Sequence, residues 1–158
     1  MPEATLLLCY DGSEFAKRAI ADAPALLAPR KATVLVVWQS SAVLSLAWAG
    51  GAAFGGEDIV AMDEAGEAAA RQLADEGVRL ATNAGFDADG EIAQAAGPVW
   101  DTIVAVADQQ DASAIVVGSR GLTGLRHVLL GSVSEGVARH AHRTTIIVQE
   151  PEETTDGA

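Results

Sequence analysis

The feature that most constrains this sequence is its alternation. Short apolar runs at residues 5–10, 32–38, 113–117 and 144–149, and a weakly alternating, less buried stretch at 88–95, are separated by stretches with helical periodicity, never by a hairpin-length turn. The order read from this is β-α-β-α-β-α-β-α-β. Strands joined by helix-length crossovers must pair in parallel through right-handed connections. The expected architecture is therefore α/β: a single-domain, open five-stranded parallel sheet, order 3-2-1-4-5, with helices on both faces, Rossmann-like. A chain of 158 residues suits one domain, placed here at residues 1–149. Residues 150–158 hold four acids and no large apolar side chain, so an acidic, frayed tail is expected.

Local signals refine the elements. Ser13 is the predicted N-cap of the first helix, whose inward stripe reads Phe15, Ala19, Ala23 and Leu27, with Pro24 expected to kink or restart it. Residues 57–84 carry Met62, Ala65, Ala69, Leu73, Leu80 and Ala84 at helical spacings, closed by Gly85. Gly97-Pro98 predicts a turn with Pro98 at the first position of a helix whose shared face is Val99, Ile103 and Val106. The last helix is expected over residues 132–142.

Composition excludes several classes of function. Ten basic residues against 22 acidic ones leave a net charge of −12, which repels nucleic-acid backbones and anionic lipid surfaces. The single cysteine, Cys9, cannot form an internal disulfide or a cysteine-based zinc site, and a small packing role is expected for it. Residues 32–56 carry no charge, but Gln39-Ser40-Ser41 interrupts them and four glycines end them, so they read as a strand and an apolar loop rather than a membrane span. With no basic, apolar leader at the N-terminus, a cytoplasmic location is expected.

In an open parallel sheet the ligand sits beyond the carboxyl ends of the strands, where strand order reverses. Here that means Asp11-Gly12-Ser13 after the first strand and residues 118–134 after the fourth. The latter segment is punctuated by Gly118, Gly121, Gly124 and Gly131 and opens a helix at Ser132-Val133-Ser134. Glycines let backbone N–H groups approach an anion, and a helix start offers unpaired donors, so this is a phosphate site in outline. Residues 112–149 contain four arginines and one acid, a formal charge of +3, while the other 120 residues hold six basic and 21 acidic residues, or −15. The segment thus gathers the positive charge of an acidic chain. The two lysines of the whole chain, Lys17 and Lys31, lie beside no glycine cluster, which excludes a Walker-type loop. No G-x-G-x-x-G follows the first strand, and the late lysine of a response-regulator switch is missing.

Gly118-x2-Gly121-x9-Gly131-Ser132 resembles the nucleotide motif of the ATP-binding branch of the universal stress protein family. Leu8-Cys-Tyr-Asp-Gly-Ser13 and Asp111-Ala-Ser-Ala-Ile-Val-Val-Gly118 are similar to its first and fourth strands, and the likeness runs from about Thr5 to Gln149. The resemblance implies that Asp11 contacts adenine and that Val37 packs near the base. Gly118 and Gly121 would line ribose and phosphates, while Gly131, Ser132 and Ser134 hold phosphate oxygens, with Val133 completing the set. It implies ATP as ligand, with Mg or Mn as an accompanying ion, and a nucleotide-responsive regulator of stress adaptation acting on an unknown protein partner. A weak divalent-ion-dependent ATPase and a nucleotide-free dimeric scaffold are the alternatives. The sequence departs from the family in lacking proline in residues 140–145 and in its apolar loop at residues 40–56.

Plainer readings stand beside these. Ser132 with Glu135 also spells a capping box, and Asp11 suits an Asx-turn before Gly12. His140-x-His142 reads as positive decoration of a helix end rather than as metal ligands, and Trp38 and Trp48 as packing; no metal site is assigned. No residue is placed to activate a water, so no catalytic residue is assigned. The fifth strand, Thr144-Thr-Ile-Ile-Val148, lies at a sheet edge without Lys, Pro or inward charge, and a homodimer pairing two such strands is expected.

Overall fold

The computed structural model describes residues 5–28, 31–42, 56–120 and 130–149. Its strands are β1 (Leu6–Cys9), β2 (Lys31–Gln39), β3 (Asp87–Ala95), β4 (Ala114–Gly118) and β5 (Thr144–Val148). Its helices are α1 (Glu14–Leu26), α2 (Gly56–Asn83), α3 (Val99–Gln109) and α4 (Ser132–His140). The sheet runs β3-β2-β1-β4-β5 and every pairing is parallel. The expected architecture is thus the observed one.

β1 is central and buried on both faces because its side chains alternate between two cores. Leu6 and Leu8 join Ile20, Val34, Ala74 and Val116 beneath α1 and α2. Leu7 joins Leu35, Ile103, Ile115 and Val137 beneath α3 and α4. At about 1.5–3 kcal/mol for each fully buried aliphatic side chain, this three-residue alternation ties the two helical layers through one strand.

The helices correct several details of the sequence reading. In α1 the buried face is Ala16, Ala19, Ile20 and Ala23, and Phe15 and Leu27 are only half-buried. Pro24 does not restart this helix, which runs on to Leu26, because the proline falls in its final turn. In α2 the expected face holds in its second half, where Leu73, Leu80 and Ala84 pack half-buried against the core, and fails in its first. Met62, Ala65 and Ala69 are exposed, whereas Ala70, Ala74, Gly77 and Ala81 are buried. Contact with the sheet selects the smallest side chains: a Cβ on Gly77 would lie 2.6 Å from Val34 Cγ1 and 3.0 Å from Tyr10 Cδ1. The end of α2 follows expectation. Gly85 adopts φ +101°, with Phe86 N–H bonding to Ala81 O and Gly85 N–H to Thr82 O, a Schellman closure.

Pro98 is the N-cap of α3, one position before its expected place, because its ψ of 139° is extended. α4 ends at His140 rather than residue 142, capped by Ala141. Residues 43–55, including Trp48, and the acidic tail at residues 150–158 lie outside the described residues. Among the described residues, no helix is long and apolar enough to cross a membrane.

Candidate functional site

A cavity of about 460 Å³ opens beyond the carboxyl ends of β1, β2 and β4, at the point where chain order reverses. Asp11, Val37, Gly118, Gly131, Ser132, Val133 and Ser134 all line it. Gly121 lies outside the described residues. Its volume falls in the range of small-molecule sites, roughly 300–1,000 Å³.

The first wall is the turn from β1 into α1. Gly12 has φ +80°, a left-handed conformation natural to glycine, and directs the chain sharply into the helix. Ser13 caps α1 by accepting the Ala16 N–H at 3.1 Å, a contribution of about 1 kcal/mol. One Asp11 oxygen accepts the Ser13 N–H at 2.9 Å, so the Asx-turn is present. That bond fixes the carboxylate at the cavity wall and leaves its second oxygen without a partner among the described residues.

Ser119 organises the opposite wall. Its N–H bonds to Val148 O, while its carbonyl accepts both the Gly131 N–H at 2.7 Å and the Ser134 hydroxyl at 2.9 Å. The two ends of the glycine segment are thereby held side by side. Gly131 is the N-cap of α4 and no side chain caps it. Ser132 is already helical, and Glu135 pairs with Arg139 at 2.8 Å, so the capping box is not formed. Within the first turn the Glu135 N–H bonds to Gly131 O, while Ser132, Val133 and Ser134, whose N–H groups precede the first intrahelical acceptor, line the cavity.

The glycines serve different ends. A Cβ on Gly118 would sit 2.9 Å from both the Phe15 carbonyl carbon and Phe15 Cβ, so this position is small because α1 lies against it. Gly131, at φ −71°, has only ordinary contacts around such an atom, the nearest being Ser119 O at 3.4 Å.

Charge is less concentrated at the cavity than the sequence suggested. Arg139 is taken up by Glu135, and Arg143 by Asp108 at 2.5 Å and by the Ala112 carbonyl. Arg126 lies outside the described residues. Arg120 does line the cavity, its guanidinium carbon 5.7 Å from the Phe15 ring centroid. His140 stacks on Trp100 with centroids 4.2 Å apart. Among the described residues, no three His, Cys, Asp or Glu side chains are grouped to hold a metal ion.

Sequence reasoning missed other lining residues: Tyr10, Leu35, Gln39, Val99 and Ile103. Strand-end position in a parallel sheet was the signal that could have found Gln39 and Tyr10. The Tyr10 hydroxyl donates to Glu76 at 2.7 Å, and burial followed by this carboxylate pushes its pKa up. Burial likewise pushes the Cys9 thiol up to about 12, with Asp11 adding to the effect, so the thiol is a packing group at neutral pH.

Comparison with known proteins follows the same outline. The chain is 45% identical over 49 residues to universal stress protein MJ0531 of Methanocaldococcus jannaschii, covering 31% of this chain and 29% of that relative. It is 38% identical over 67 residues to Slr1101 of Synechocystis, covering 42% of this chain and 62% of that relative. The matched part therefore spans less than two thirds of either. Among solved structures, the hypothetical protein MJ0577 superposes with a TM-score of 0.75 at 23% identity, over 93% of this chain and 96% of that one. A universal stress protein solved in complex with cAMP gives 0.63 at 24% identity, over 93% and 97%. One from Archaeoglobus fulgidus in complex with dAMP gives 0.58 at 24% identity, over 93% and 98%. The profile of the universal stress protein family matches residues 4–149, and the chain belongs to that family.

Proposed function

We propose that this protein binds an adenine nucleotide, with ATP as its ligand, and acts as a nucleotide-responsive regulator in stress adaptation. The observation that carries the reading is that one cavity gathers the turn after β1, the end of β2, Gly118 and the start of α4. Related structures holding cAMP and dAMP support the choice of adenine. In this reading Asp11 takes a donor of the base side, Val37 packs beside the base, and Gly118 and Gly121 line the ribose and phosphates. Gly131, Ser132, Val133 and Ser134 present the helix start to phosphate oxygens. Asp11 is the one carboxylate among the described lining residues and already holds Ser13, so Mg or Mn would be carried mainly by the phosphates. Occupancy would then alter the surface that residues 118–131 offer to a protein partner.

Denaturing the purified protein and identifying the released nucleotide tests the reading directly. An adenine nucleotide is expected, and Asp11→Ala should weaken ATP about tenfold while reducing its advantage over GTP. Protein that carries no nucleotide and takes up none on titration would overturn it.

The same reading includes a two-fold pair through β5. This strand is a sheet edge, with Ile146 and Ile147 half-buried on opposite faces and no charge along it. A dimer is expected in sedimentation, shifted toward monomer by Thr144→Lys at an exposed edge position. Wild-type protein that stays monomeric at about 100 μM, well above typical micromolar association, would exclude the pair.

A further inference from the structure

We propose that Arg120 is the specificity-determining cation of the cavity, selecting phosphate-bearing ligands over uncharged ones of the same body; this rests on the nucleotide reading above. Of the described residues lining the cavity, Arg120 is the one cation. Lys17, Arg18, Arg71, Arg139 and Arg143 each stand within ion-pair distance of a carboxylate. Arg120 has no such partner among the described residues, and its Nε is buried without an acceptor. The Nε of Arg143 is buried in the same way, so what sets Arg120 apart is its place on the cavity wall with no carboxylate beside it, where a ligand bringing acceptor oxygens would meet the terminal N–H groups of the guanidinium.

Geometry narrows the acceptor. The Phe15 ring lies 5.7 Å beneath the guanidinium carbon, and Phe15 itself is held where the backbone of α1 meets Gly118. The planar cation is therefore backed on one side, leaving its fork of donors to a ligand. Gly131 sits beside it, with Arg120 Cα 3.5 Å from where a Gly131 Cβ would be, so the fork and the unpaired N–H groups of α4 belong to one neighbourhood. Forked donors beside a helix start suit phosphate oxygens, which accept two parallel bonds. Asp11, the one lining carboxylate, suits a donor-bearing end instead. The cavity is thus polar in a directional sense, with an acceptor end and a donor end.

Calorimetric titration of wild type, Arg120→Met and Arg120→Lys with ATP, AMP and adenosine, all in EDTA, tests the assignment. Arg120→Met should weaken ATP by about 10- to 100-fold, the range for a charge-assisted contact, and adenosine by less than about twofold. Its ATP affinity should also fall less steeply with salt, and Arg120→Lys should recover part of the preference as a point charge. Equal losses for ATP and adenosine, or unchanged ATP affinity, would overturn the proposal. If Arg120→Met fails to fold, Phe15→Leu keeps the cation but removes its backing, and must weaken ATP selectively. Wild type that binds ATP and adenosine equally overturns the Arg120 assignment alone, whereas wild type that binds neither overturns the nucleotide reading with it.

Discussion

Gly118→Ala is expected to lower stability by about 1–3 kcal/mol and to weaken nucleotide binding at least about tenfold. The added methyl would meet the Phe15 carbonyl carbon at 2.9 Å and the Ala16 nitrogen at 3.1 Å, which are backbone atoms of a helix start and cannot rotate aside. Relief requires moving α1, and with it the Asp11 turn at the opposite wall of the cavity. Gly131→Ala is the control. Its nearest contacts, at 3.4 and 3.5 Å, are ordinary, so stability should change by less than about 0.5 kcal/mol. Denaturant midpoints and ATP titrations of the two variants measure the contrast. Equal losses of stability would show that Gly118 is not set by packing against α1.

Gly136→Ala should be at least as damaging. Alanine favours an isolated helix over glycine by about 1 kcal/mol, yet here its Cβ would lie 2.2 Å from Trp100 Cγ and 2.3 Å from Trp100 Cδ1. Overpacking of this kind costs about 1–3 kcal/mol or more, so a net loss is expected despite the better propensity. Trp100→Leu in the same chain should restore part of it, with a coupling of more than about 1 kcal/mol in a double-mutant cycle. Additive losses would mean that α3 and α4 do not meet through this pair. Because α4 presents Ser132 and Ser134 to the cavity, the single variant should also bind nucleotide more weakly.

The packing demands at Gly118 and Gly136 come from tertiary contacts, whereas the sequence was readable where residue class or local backbone decided. Topology followed from alternation and crossover length, which depend on residue classes rather than on particular contacts. The turn at Gly12 and the closure at Gly85 were legible because positive φ is a local demand. The face of α2 was legible only from Leu73 onward, where Leu73, Leu80 and Ala84 pack against the core. That helix is rich in alanine on all sides, so periodicity offered several stripes, and only its approach to Val34 and Tyr10 chose the one containing Gly77. The capping box failed because the N-cap falls on Gly131 rather than Ser132, a one-residue shift, and the Ser134 hydroxyl donates to a carbonyl fifteen residues away instead of capping. Arg120 was visible only as one charge among four, because the ion pairs that remove Arg139 and Arg143 from the site are settled by tertiary structure.

The order of the sheet carries a consequence for how far assembly can go. Its two borders differ: β5 is uncharged, whereas β3 bears Asp87, Asp89 and Glu91 and takes a glycine at residue 90. Two chains joined at β5 would present β3 on both outer margins of a ten-stranded sheet, since each contributes five strands. Those margins carry like charge and resist another strand. Growth would end after a single joining event, with the stop signal written at the far side of each subunit from the seam.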